Sequence, residues 1–108
     1  MKQVPPAIQE SQRYLKFKVR GKEKDIGEIV NAVWDSATKY MGTRGCSEAS
    51  IWIIGNKFDE EKQEGVIKVN RRKEDDLRAA LTLNPCFEDE TFLSVEKVSG
   101  TLAGLEGE

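Results

Sequence analysis

Arg71, Arg72 and Lys73 are three consecutive cations in a chain of 108 residues whose net charge is -2. The chemistry open to such a triplet is electrostatic. Guanidinium and ammonium groups hold phosphate oxygens through charge-assisted hydrogen bonds, but near neutral pH they do not exchange protons. Groups able to break bonds are scarce elsewhere in the chain. It has no histidine, which removes the side chain that titrates near neutrality and with it any Ser-His or Cys-His nucleophile. Its two cysteines, Cys46 and Cys86, fall in separate predicted loops and neither has a CxxC companion. They read as free thiols, and no metal ligand set is evident.

The cations are patterned. Arg13, Lys16, Lys18, Arg20, Lys22 and Lys24 face a single acid, Glu23, over twelve positions, while acids gather in Asp59-Glu60-Glu61, Glu64, Asp75-Asp76 and Glu88-Asp89-Glu90. At physiological salt a field decays over about 8 Å, so a polyanion responds to the local patch and not to the chain total. An acidic sum therefore leaves a nucleic-acid partner open.

The elements that must carry these residues follow from periodicity. At 38% hydrophobic and 33% charged the chain reads as one soluble globular domain. No run approaches the roughly 18 to 20 apolar residues of a spanning helix, and "MKQVPP" lacks a signal-peptide core, so a cytoplasmic protein is expected. Residues 1–12, with Pro5-Pro6, read as an extended arm before a single domain over 13–108. "RYLKFKVR" from Arg13 to Arg20 alternates Leu15, Phe17 and Val19 against Tyr14, Lys16, Lys18 and Arg20, the pattern of a half-buried strand.

Asp25 can cap a helix with apolar positions Ile26, Ile29, Val30, Val33, Trp34, Ala37, Tyr40 and Met41, which Gly42 stops. "ASIWIIGNKF" (49–58) reads as a central strand with Trp52 in the core. An acidic turn joins it as a hairpin to Val66–Asn70. Lys73 to Leu83 forms a second helix, blocked by Pro85, and Thr91 to Val98 a fourth strand. Ser99 is placed to cap a short last helix bearing Leu102 and Leu105. The order β-α-β-β-α-β predicts an α+β sandwich of ferredoxin-like or RRM-like type: a four-stranded antiparallel sheet, both helices on one face, and a short C-terminal helix.

One sheet face is then left for a partner, with Tyr14 interleaved among Lys16, Lys18 and Arg20. That row suits phosphates and stacked bases, and equally an ordinary solvated strand. The third strand, "GVIKVN", has no aromatic residue, so the base-stacking signature of RNA-recognition motifs is missing. Arg71 and Asn70 supply the residue types of an acylphosphatase, but its glycine-rich phosphate cradle is absent. A regulatory or assembly module without RNA is the alternative on the same fold.

Pro5-Pro6, Arg13-Tyr14-Leu15-Lys16-Phe17, Tyr40-Met41-Gly42, Gly45-Cys46, Trp52-Ile53-Ile54, Gly65 to Arg71, Leu77-Arg78-Ala79-Ala80-Leu81 and Val98-Ser99-Gly100-Thr101-Leu102, in that order and spacing, resemble the archaeal ribonuclease P protein component 2 family, related to a small eukaryotic ribonuclease P/MRP subunit. The resemblance spans about residues 4 to 105. It implies a non-catalytic subunit of the particle that cuts the 5′ leader from precursor tRNA, with chemistry carried by the RNA and its magnesium ions. It implies ribonuclease P RNA and protein component 3 as partners, and a homodimer or two-fold heterotetramer. The implied RNA-binding positions are Arg13, Lys16, Lys18, Arg71, Arg72, Lys73 and Arg78, with Ser99, Gly100 and Thr101 as a further phosphate contact. Catalytic and metal residues in the chain: none. The acidic end, Leu105-Glu106-Gly107-Glu108, stands where relatives carry a basic tail and is assigned no RNA contact.

Overall fold

The structure, a computed structural model, describes residues 11–83 and 87–106. Pro5-Pro6 and the rest of the arm up to residue 10, Pro85, Cys86 and the last two residues lie outside them. Strand β1 (Gln12–Arg20) opens one residue before the predicted alternation and buries Leu15, Phe17 and Val19. It lies inside the sheet, between β3 (Glu64–Asn70) and β4 (Phe92–Ser99), and β2 (Trp52–Ile53) pairs outside β3. The order is β2-β3-β1-β4 and every neighbouring pair is antiparallel. Helices α1 (Ile26–Ala49) and α2 (Glu74–Leu83) both contribute to one core with Leu15, Phe17, Ile67, Val69 and Leu93, so they cover the same face. With the short α3 (Leu102–Glu106) this is the expected α+β, ferredoxin-like sandwich. Among the described residues no helix is long and apolar enough to cross a membrane.

Helix α1 starts at a capping box: Asp25 Oδ1 accepts the Glu28 N–H at 2.8 Å, and Glu28 Oε1 accepts the Asp25 N–H at 3.0 Å. Two orphan donors of the first turn are thereby satisfied. Gly42, at φ +77°, breaks the helix where expected, but the chain resumes helical winding to Ala49. Residues 43–48 are therefore not the predicted loop, and Ala49, the expected start of the second strand, ends the helix. Gly45, Cys46 and Ala49 recur at helical spacing and are buried, so the glycine redirects the helix onto the core instead of ending it. Cys46 is a buried free thiol on that segment. The core stripe is Ile29, Val33 and Ala37, whereas Trp34 and Tyr40 are 38% and 43% exposed. Successive residues turn by about 100°, which carries those two rings off the narrow inward stripe.

The predicted ten-residue central strand is corrected to two residues at a sheet edge. Ser50 leaves α1 in the left-handed region (φ 52°), Ile51 is buried, and Gly55–Lys57 form a 3-10 turn. The apolar run feeds the core through an irregular path. It ends with Phe58 stacked on Phe17, ring centroids 6.4 Å apart. Trp52, placed in the core by sequence, is 64% exposed. Gly65 is needed for room: it sits opposite Phe17 in the β1–β3 register, and a Cβ there would stand 2.6 Å from that ring. In α3 the cap is Thr101, not Ser99: Thr101 Oγ1 accepts the Gly104 N–H at 2.9 Å, while Ser99 Oγ accepts the Thr101 N–H at 3.2 Å. Leu105 is buried and Leu102 half-buried.

Candidate nucleic-acid interface

The cationic triplet is built from the end of β3 outward. Asn70 is buried, and its Oδ1 accepts the Arg72 N–H at 2.9 Å, which turns the chain into a 3-10 turn over Arg71–Lys73 that runs straight into α2. This Asx turn supplies locally the hydrogen bond that a helix start lacks. The Arg71 N–H donates to the Ser11 carbonyl at 3.0 Å, one step past the Gln12–Asn70 pair. The backbone of the triplet is thus tied at both sides, while the Arg71 and Arg72 side chains are exposed. Lys73 Nζ lies 3.6 Å from Glu48 on α1 and 3.9 Å from Asp76. Both carboxylates are about half exposed, so these pairs hold the ammonium only loosely.

The antiparallel register brings other assigned residues to the same rim. Arg13 stands opposite Val69, and Tyr14 opposite Ser99. The Arg13 Nη1 atom lies 3.3 Å from where a Gly100 Cβ would be, and it donates to the Gln12 carbonyl at 3.2 Å. Arg13, Arg71, Arg72, Lys73 and Ser99–Thr101 therefore share one end of the sheet. Within Ser99–Thr101, the Thr101 N–H is already held by Ser99 Oγ.

The remaining assigned cations lie elsewhere. Lys16 and Lys18 stand on the open face and share Glu64, at 3.8 and 3.6 Å, and Lys18 also donates to the Lys62 carbonyl at 3.3 Å. Arg78 is paired with Glu74 at 3.0 Å and lines a groove of about 830 Å³ between α2 and β4 with Leu81, Phe87 and Phe92. It does not join the rim. Sequence reasoning missed Trp52, Lys68 and Lys97, which the register adds to the open face. Alternation within Ile51-Trp52-Ile53 carried the signal for Trp52, since Ile51 is buried and its neighbour must point away.

A tight ion pair lies at the opposite end of the sheet. Lys24 Nζ donates to Asp89 at 2.7 Å, stands 4.7 Å above the Phe87 ring, and its backbone exchanges two hydrogen bonds with the Gln63 amide at 2.8 and 3.1 Å. Hydrogen bonds from Lys24 first, and then from Thr91, hold the Asp89 carboxyl well below the usual carboxylate range. Glu96 is also lowered, by the Ser94 hydroxyl first and by Arg20. A depressed carboxylate stabilises the fold above its unfolded pKa, and that contribution is lost as pH falls toward the folded value. Asp89→Asn should therefore lower the melting temperature at neutral pH and make its decline below about pH 4 shallower than in the parent, as read in thermal melts across pH. Among the described residues no group of three or more His, Cys, Asp or Glu could hold a metal ion.

Residues 13–108 match the family model described as the Rpp14/Pop5 family. The chain is similar to ribonuclease P protein component 2 of Thermococcus kodakarensis, with 36% identity over 97% of this chain and 88% of that protein. It is 33% identical to the protein of the same name from Pyrococcus furiosus, again over 97% of this chain and 88% of that protein. Among solved structures it resembles a chain in the cryo-EM structure of yeast ribonuclease MRP, with a TM-score of 0.70, 12% identity, and coverage of 87% of this chain and 77% of that one. At that identity the likeness shows the fold.

Proposed function

Because the chain belongs to the Rpp14/Pop5 family, we propose that it is a protein subunit of a ribonuclease P-type ribonucleoprotein that removes the 5′ leader of precursor tRNA. The observation that carries this reading is the rim: Arg13, Arg71, Arg72 and Lys73 on a hydrogen-bonded corner of strand and turn. A backbone fixed in this way presents cations to a phosphate ladder with little ordering cost, the arrangement that positions protein on RNA without reading sequence. The chain itself contributes binding, and the bond is broken by the RNA with its magnesium ions. A chain without histidine fits that division of labour.

On this reading the subunit stabilises the catalytic domain of the RNA together with protein component 3, as a two-fold assembly of such pairs in the cytoplasm. Trp34 and Tyr40, large and exposed on α1, offer component 3 the aromatic anchors that protein interfaces favour, and they lie on the helical side, away from the open face. The acidic hairpin turn at Asp59–Glu64 is at the far end of the sheet from the rim, so like-charge repulsion does not oppose RNA docking there.

The test is to purify the tagged chain from its cells and sequence the attached RNA. The expected product is a ribonuclease P RNA, accompanied by component 3. Recovery of a different RNA, or of none, would overturn the assignment.

A further inference from the structure

Trp52 is the most exposed aromatic ring among the described residues, at 64%, and the register puts it in a row. Trp52 pairs with Lys68, Lys68 with Tyr14, and Tyr14 with Ser99, so one line of side chains crosses all four strands on the open face. Directly opposed residues share a face, and strands lie about 4.8 Å apart, which sets Trp52 and Tyr14 roughly 10 Å apart with Lys68 between them. The next rows add Lys16, Lys18, Arg20 and Lys97 against the carboxylates Glu64 and Glu96. Lys16 and Lys18 share Glu64, and Arg20 is paired with Glu96 at 3.1 Å. Lys68 has no ion pair or hydrogen bond among the described side chains.

We propose that this face is a stacking platform for an unpaired stretch of RNA, with one base on the Trp52 indole, a second on the Tyr14 ring, and the phosphate between them held by Lys68. The proposal rests on the RNA-associated reading above and adds a second contact to the rim. The chemistry selects the occupant. Two separated rings set among an excess of cations are poor material for a protein interface, whose buried centre is depleted in charge. The same arrangement suits a flexible polyanion whose every base has a π-face. A duplex hides those faces in its own stack, so the platform takes single strands while the rim takes phosphates of either form.

The experiment uses the full chain with Trp34→Phe, which leaves Trp52 as the single indole. Titration with single-stranded oligouridylate should quench its emission, and an RNA duplex of equal length should not. Trp52→Ala should weaken oligouridylate binding by about 5- to 150-fold for one lost stack, with the salt dependence unchanged. Trp52→Phe should recover much of that loss, and Lys68→Ala should instead lower the log-log salt slope by about 0.7. Trp52→Ala binding as tightly as the parent would overturn the platform, as would equal quenching by duplex. So would an emission change that follows protein concentration without RNA, which would mean a second copy covers the face. If the chain still captures its RNA from cells while Trp52 stays silent to oligouridylate, the platform fails and the subunit assignment stands.

Discussion

Replacing Arg71, Arg72 and Lys73 together by alanine should sharply reduce precursor-tRNA cleavage by the reconstituted particle and leave the isolated domain folded. The fold is spared because the turn is made by groups these substitutions do not touch: the Asn70 side chain and the Arg71 and Arg72 backbone N–H groups. The side chains removed are exposed or loosely paired. The effect on RNA is set by counterion release, in which each phosphate contact contributes about 0.7 to 0.9 to the log-log salt slope. Three lost contacts lower the slope by about 2 to 3, so the parent's extra loss of affinity between 50 and 200 mM salt, roughly twenty- to fortyfold, disappears in the variant. Cleavage rates over a salt series at subsaturating protein measure this directly. A triple variant with the parent's activity and slope throughout would remove the rim from the RNA contact.

Phe17→Ala should be the most damaging single change to stability. The ring is fully buried, stacks on Phe58 and lies against Gly65 on the neighbouring strand. Truncating such a residue costs about 3 to 5 kcal/mol through lost burial and an unfilled cavity. That is a large share of the roughly 5 to 15 kcal/mol that holds a domain of this size. Gly65→Ala fails for the opposite reason. Its methyl group would meet the Phe17 ring at 2.6 Å and Phe58 at 3.1 Å, overpacking worth about 1 to 3 kcal/mol. The two positions form one unit, so Phe17→Leu combined with Gly65→Ala should cost less than the sum of the separate changes. Urea melts of the four proteins give the coupling energy. Additive costs would mean that the ring and the glycine do not share one space.

Much of this was readable from residue order, and the failures share a cause. Alternation in "RYLKFKVR" and Asp25 just ahead of the apolar stripe that begins at Ile26 are local signals, and β1 and the start of α1 follow them. The element order and fold class then follow from short connections. "ASIWIIGNKF" misled because apolar density records burial and not path: Ile51, Ile53 and Phe58 do face the core, but through a broken, irregular course. Gly42 misled because a residue with φ +77° can redirect a helix as well as end it, and the outcome depends on whether the following segment has a buried side. The rim was legible as charge in sequence but not as a site. Its assembly from Arg13, Arg71 and Ser99 needs strand register, which no local pattern encodes, and Arg78 looked equivalent until α2 carried it to another groove.

The two sheet borders differ in a way that bears on solubility in a crowded cell. An unpaired strand edge is a template on which other chains polymerise, and long flat edges are the dangerous ones. On one side β2 offers only two residues, too few rungs for a stranger to zip onto. On the other, β4 is eight residues long, but its ladder slips between Lys16 and Phe17 of β1, leaving Glu96 as an extra residue beside Lys97. A bulge with adjacent charges bends the border out of register for any straight intruder. This small sheet is closed to growth at both ends by brevity on one side and irregularity on the other, so it can keep a face bare for a partner without inviting copies of itself to extend it.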